Sequence, residues 1–144
     1  MKKIFFFIAA LTLSFAAQAA VHTCTPAANS LSWCLTQADT LILTDGVYEE
    51  AYTITIEKPG VLIKAAEGAK PVIKLTGEWT SLQLYATITF DGITIDGTGV
   101  CYYPISAFGS DAGTYAFKNC EFTGWMYWAI SNHYEANTHV DNVL

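Results

Sequence analysis

The chain has no arginine, so its seven basic residues are all lysines. Without Lys/Arg clusters nothing can neutralise a run of phosphates, which excludes a nucleic-acid binder and argues against electrostatic docking on an anionic membrane. Charged residues of any kind are scarce at 14%, and they are lopsided, with 13 Asp and Glu giving a net charge of −6. Methionine and proline are also sparse, at 2 and 4 of 144 residues. The longest apolar run, Ile4 to Ala10 continuing through Leu11, Leu13 and Phe15, is too short to span a bilayer. Helical periodicity is missing from Asp39 onward.

What is present begins with a leader. Lys2 and Lys3 precede the apolar run, and Ala17-Gln18-Ala19 closes it. A basic start, an apolar middle and a small-x-small exit predict a secretory signal peptide over 1–19. Cleavage after Ala19 removes two lysines and leaves residues 20–144 at a net charge of −8. The expectation is a bacterial protein, secreted or periplasmic, with no membrane insertion once the leader is gone.

Four cysteines remain, Cys24, Cys34, Cys101 and Cys120. An even number in an oxidising compartment predicts disulfides, with Cys24–Cys34 and Cys101–Cys120 the favoured pairing of three. The first bridge would close a loop around Pro26 and contribute on the order of 3 kcal/mol. A zinc site using His22 beside Cys24 is the alternative, but the spacing lacks the short Cys-x2-4-Cys knuckle of structural zinc.

Residues 20–29 read as an irregular lead-in. Asn29 or Ser30 then caps a short helix over Ser30–Ala38. Beyond it lie short β-branched and aromatic runs, among them Thr40–Leu43, Tyr52–Ile56, Val61–Lys64, Val72–Leu75, Ser81–Tyr85, Thr87–Phe90, Ile93–Ile95, Ile105–Phe108, Tyr115–Phe117 and Cys120–Phe122. Turn pairs such as Asp45-Gly46, Pro59-Gly60, Asp91-Gly92 and Lys118-Asn119 separate them. This predicts an all-β chain.

A repeat narrows the architecture. Phe90-Asp-Gly-Ile-Thr-Ile-Asp-Gly97 aligns without gaps on Phe117-Lys-Asn-Cys-Glu-Phe-Thr-Gly124, 27 residues later. A third copy begins at Val140-Asp-Asn-Val143, and Ile105-Ser-Ala-Phe recurs 25 residues on as Ile130-Ser-Asn-His. Units of this length predict a solenoid in which each coil buries its apolar side only against its neighbours. A propeller blade needs about 40 residues and fits worse. Gly92 and Asn119 share one turn position, where a left-handed backbone is cheapest for Gly and Asn, and stacked asparagines there can bond along the stack. The third copy stops at Leu144 without a cap, so the expectation is the N-terminal part of a longer protein. Its expected parts are the leader 1–19, a lead-in and capping helix over 20–38, and incomplete parallel coils over 39–144.

The segment Asp39-Thr-Leu-Ile-Leu-Thr-Asp-Gly-Val-Tyr48 and the following Ile54–Ile73 resemble the opening coils of secreted pectate-lyase-like right-handed parallel β-helix proteins. They look closest to a branch common in Bacteroidetes, with chondroitinase-B-like and alginate lyases as relatives in fold. The repeats at Phe90–Gly97 and Phe117–Gly124 look like coils of the same group. The resemblance implies a right-handed β-helix with a polysaccharide as partner. It is weak for activity, because lyases, hydrolases, esterases and non-catalytic adhesins share this architecture.

A lyase of this fold must neutralise a uronate carboxylate with a cation and remove the adjacent proton with a base. Among the five mature lysines only Lys118 occupies a repeat position beyond the opening coils, and a solvated lysine beside a turn is its ordinary reading. Polygalacturonase-type Asn-x-Asp and Asp-Asp motifs are missing. No catalytic residue is assigned. Asp91, Asp96 and Asp111 are candidates for a calcium site, against the ordinary use of Asp-Gly in tight turns. No other cofactor is expected. His133, His139 and Glu135 are candidates for acid–base or metal work, with surface loop residues as the ordinary reading.

Aromatics are the stronger signal. Trp79, Tyr85, Tyr102, Tyr103, Trp125, Tyr127, Trp128 and Tyr134 are too many for the interior of a narrow solenoid. In Trp125-Met-Tyr-Trp128 some rings must point outward, because strand neighbours alternate faces. Trp125, Tyr127, Trp128, Tyr102 and Tyr103 are the candidate carbohydrate-binding set, since exposed rings stack on sugar faces. The functional expectation is a secreted β-helix protein that acts on or binds an extracellular polysaccharide, this chain being its non-catalytic N-terminal part and the full-length protein a monomer. Alternatives are a lyase with its active site in coils beyond Leu144, or a structural or adhesive surface protein.

Overall fold

The computed structural model describes residues 20–108, 114–133 and 137–144. The expected leader, Asp111, Tyr134 and Glu135 lie outside the described residues.

Among the described residues, fourteen strands and one helix follow in order: β1 (Val21–Cys24), α1 (Ser30–Leu35), β2 (Thr40–Leu43), β3 (Gly46–Glu50), β4 (Ile54–Ile56), β5 (Val61–Ala65), β6 (Pro71–Leu75), β7 (Leu82–Leu84), β8 (Ile88–Asp91), β9 (Thr94–Asp96), β10 (Ile105–Phe108), β11 (Thr114–Lys118), β12 (Glu121–Thr123), β13 (Ile130–His133) and β14 (Asn137–Asp141). They form three sheets, β1-β2-β5-β8-β11-β14, β3-β6-β9-β12 and β4-β7-β10-β13. Every pairing is parallel. Each coil thus lays one strand in each sheet and passes on to the next coil, giving a parallel β-helix of about 4 turns.

Alternation along each strand turns every second side chain inward, and register stacks those side chains into columns. One column runs Leu41, Ile63, Phe90, Phe117, and another runs Tyr48, Ile73, Ile95, Phe122. A third runs Ile54, Leu82, Ile105. All of these side chains are buried. Phe90 and Phe117 are stacked with ring centres 5.3 Å apart and planes 6° from parallel. Each such burial stabilises by about 1.5–3 kcal/mol, so the columns carry most of the hydrophobic stabilisation.

The corner after the six-stranded sheet shows why glycine and asparagine share one repeat position. Gly92, Asn119 and Asn142 have φ of 72°, 51° and 50°. Asn142 Nδ2 donates to Asn119 Oδ1 at 2.8 Å, and Asn119 Nδ2 donates to Asp91 Oδ1 at 2.9 Å. The side chains bond from coil to coil as the backbone does. The second matched pair divides its reasons. Gly124 has φ of 66°, whereas a Cβ on Gly97 would meet the Gly124 carbonyl oxygen at 2.7 Å.

Two parts of the N-terminal region differ from the sequence expectation. The lead-in contains β1, which adds a rung to the six-stranded sheet. The helix ends at Leu35, and Asn29 at its N-cap gives it no side-chain bond. Asn29 Oδ1 instead accepts from the Ala51 amide at 3.0 Å. The helix N-terminus is served by the buried Glu50, which accepts from Leu31 N–H at 2.8 Å and from Ser32 Oγ at 3.3 Å. Orphan amide donors in the first turn favour a carboxylate there.

Of the two expected disulfides, Cys24–Cys34 is present and ties β1 to α1. Cys101–Cys120 is not formed, and both are buried free thiols. They sit at different corners. Cys120 follows β11 at the asparagine corner, where its neighbouring rung is Ile93, while Cys101 precedes β10 and its Sγ donates to the Thr80 carbonyl at 2.9 Å.

Candidate functional site

The strands of the β3 sheet lead into those of the β4 sheet through residues 51–53, 76–81, 97–104 and 124–129. Inward columns fix where these segments begin and end, and their backbones bond to one another across coils. Tyr102 N–H donates to the Glu78 carbonyl at 2.9 Å, and Met126 N–H donates to the Cys101 carbonyl at 2.9 Å. Thr53 Oγ1 donates to the Trp79 carbonyl at 3.0 Å. The corner is a scaffold of stacked turns rather than separate loops.

Aromatic rings line its outer side. Trp79 and Tyr102 meet edge to face, with centres 4.7 Å apart and planes at 64°. Tyr102 and Tyr127 are 5.0 Å apart at 41°. Tyr103 stacks on Trp128 at 5.6 Å and 15°. Five rings from three consecutive coils are joined in one patch. Trp79, Tyr127 and Trp128 are 70%, 59% and 60% exposed, so water is their present neighbour on at least one face. The turn segments force this exposure, because the interior columns are already filled.

Four members of the expected carbohydrate-binding set, Tyr102, Tyr103, Tyr127 and Trp128, are brought together. Trp125 opens the same turn and is partly exposed, without a ring contact to these five among the described residues. Trp79 belongs to the patch although the Trp-Met-Tyr-Trp run drew attention elsewhere. Glu78 is a further member that the sequence reading did not single out. Its charge is the leading cause that pushes the Tyr102 phenol up, with burial and the hydroxyls of Tyr127 and Tyr103 adding to it.

Tyr85 lies elsewhere, in a stack with Phe108 and His133 along the outer side of the β4 sheet, with ring centres 4.7 and 4.6 Å apart. His133 Nε2 is 3.2 Å from Ser131 Oγ, and His139 is on β14, in another sheet.

The expected metal-binding aspartates are engaged in the turns. Asp91 accepts from Asn119, and Asp96 Oδ1 accepts from Thr98 N–H at 2.8 Å and Thr123 Oγ1 at 3.2 Å. They stand on strands of different sheets, β8 and β9. Among the described residues the one group of three potential metal ligands is His22, Cys24 and Cys34, whose two sulfurs are bonded to each other.

Lys118 lies in register between Asp91 and Asp141, and Lys64 lies on the other side of Asp91. Lys74 likewise lies between Glu49 and Asp96, and its Nζ pairs with Glu49 at 3.0 Å. Lys58 pairs with Asp39. Lys64, Lys74 and Lys118 thus stand in outward rows on β5, β6 and β11, and none of the five lysines of residues 20–144 lies in the segments of the aromatic corner. A depression of about 260 Å³ beside the asparagine corner is lined by Lys70, Asn119, Glu121 and Asn142 among others. Its two asparagines are spent on the ladder between coils.

Comparison with protein-family models, curated proteins and solved structures finds no match to this chain.

Proposed function

We propose that this is an exported, pectate-lyase-like β-helix protein that binds an extracellular polysaccharide through the aromatic corner. The observation that carries the reading is the joined patch of Trp79, Tyr102, Tyr103, Tyr127 and Trp128. Coils about 4.8 Å apart repeat on the length scale of single sugar units, so rings from successive coils can meet successive residues of one chain. Stacking replaces ring–water contact by contact with the apolar C–H faces of pyranoses. Among the described residues the patch has a carboxylate but no cationic side chain to neutralise a uronate, so the chemistry supports binding over β-elimination.

The test is affinity electrophoresis and glycan-array binding of the exported protein, with Trp79→Ala and Trp128→Ala as variants. Each substitution removes an exposed ring and is expected to weaken retention by about threefold to tenfold without shifting the unfolding midpoint. Loss of no affinity in either variant, or retention by no glycan, overturns the reading.

A further inference from the structure

The four stacked corner segments, 51–53, 76–81, 97–104 and 124–129, contain a single charged residue, Glu78. It is exposed, follows Gly77 in the turn, and precedes Trp79. The mature lysines are all elsewhere: Lys64, Lys74 and Lys118 on β5, β6 and β11, and Lys58 and Lys70 in other turns. The rings do not form a flat platform. Trp79 and Tyr127 are inclined at 64° and 41° to Tyr102, so ring faces and edges turn toward one another around it.

A ring face carries partial negative charge, and an ammonium placed over it is attracted. A carboxylate on the same patch adds to that attraction, and among the described residues the ion pairs join Lys58 to Asp39 and Lys74 to Glu49, leaving Glu78 outside them. The same field repels an anionic sugar.

We infer that the aromatic corner takes a glycan bearing protonated amino groups, a polymer of de-N-acetylated hexosamine. The ammonium lies against the Tyr102 ring beside Glu78, and sugar faces lie on Trp79, Tyr127 and Trp128. This rests on the carbohydrate reading above and narrows it to one charge class. An N-acetylated chain keeps the ring stacking but loses the charge, and a uronate chain meets repulsion.

The experiment is a tryptophan-fluorescence titration at about pH 5, where an amino sugar is protonated, with three oligomers of equal length. These are β-1,4-glucosamine, its N-acetylated form and oligogalacturonate. The glucosamine oligomer is expected to bind about threefold to fivefold more tightly than the acetylated one. Glu78→Gln should erase that preference, read as the ratio of the two affinities within the variant. Glu67→Gln makes the same change in net charge in an exposed turn between β5 and β6, and should leave the preference intact. Equal affinity for the glucosamine oligomer and its acetylated form, tighter binding of oligogalacturonate, or equal effects of the two Gln variants overturns this inference while leaving the carbohydrate reading standing. Binding of none of the three at any concentration where free sugar is soluble overturns this inference, and the carbohydrate reading falls with it only when the glycan array is blank as well.

Discussion

The Glu50 carboxylate accepts a hydrogen bond from the amide of Leu31 at 2.8 Å, across 19 residues of chain. A strand residue therefore caps the helix that closes the first coil, and the helix depends on β3 being in place. Burial pushes the Glu50 carboxyl above the usual carboxylate range, against the opposing effect of the bonds from Leu31 and Ser32.

This sets a pH dependence with a definite sign. Between the unfolded carboxylate pKa, about 4.3, and the higher folded value, the folded chain holds a proton that the unfolded chain has released. Glu50 thus makes stability fall as pH rises through that window, and its full contribution is present below it. Urea midpoints measured across the window should show this slope in the parent chain and not in Glu50→Gln. Glu50→Ala, which leaves the Leu31 amide without its acceptor, should cost about 1–2 kcal/mol. A parallel pH slope in the Gln variant would remove Glu50 as its source.

At Asn119 the backbone and the side chain make separable contributions. Its φ of 51° is costly for most residues, while its side chain links Asp91 to Asn142. Asn119→Gly keeps the backbone easy and loses the links, whereas Asn119→Ala loses both. The Ala variant should be less stable than the Gly variant by about 1 kcal/mol, read from chemical denaturation. Equal stability would mean that the left-handed turn is not what selects asparagine.

A similar comparison separates strain from collision at two glycines. Gly68 has φ of 74° with open space where a Cβ would stand, and Gly124 has φ of 66° with Asp96 Oδ1 only 2.5 Å from that point. Gly68→Ala should cost about 1 kcal/mol from backbone strain alone. Gly124→Ala should cost at least about 2–3 kcal/mol, because the Asp96 carboxylate must leave the Thr98 amide. Thermal unfolding of the two variants decides between them.

The thiols give the fourth expectation. Burial raises the pKa of both Cys101 and Cys120, so little reactive thiolate forms near neutral pH. A thiol reagent should label neither in the native protein and both after denaturation without reductant. Reducing Cys24–Cys34 should lower stability by about 3 kcal/mol. Native labelling of Cys120 would show that its corner opens.

The repeat was legible because its evidence is local and repeated. Phe90 and Phe117 occupy matched positions in two copies, and the structure stacks them in register. The turn asparagines were legible for the same reason. β3 was not, since Asp45-Gly46 reads as a turn and glutamate is depleted in strands. Only the stacked fold shows that Glu50 faces the helix and not water. The pairing of Cys101 with Cys120 failed because counting cysteines says nothing about which corner of a coil each one reaches. The aromatic surplus was visible in composition. That Trp79 joins Tyr102 and Tyr127 depends on turns of unequal length reaching the same corner, which spacing alone does not reveal.

The outward sequence Lys64, Asp91, Lys118, Asp141 has a consequence for how such a chain can grow or shrink. Excising the coil that carries Asp91 would set lysine upon lysine, and excising the one that carries Lys118 would set aspartate upon aspartate. Removing both together rejoins Lys64 to Asp141, opposite in sign. Along this edge the charge pattern has a period of two coils, so only a two-coil deletion keeps opposite signs in register.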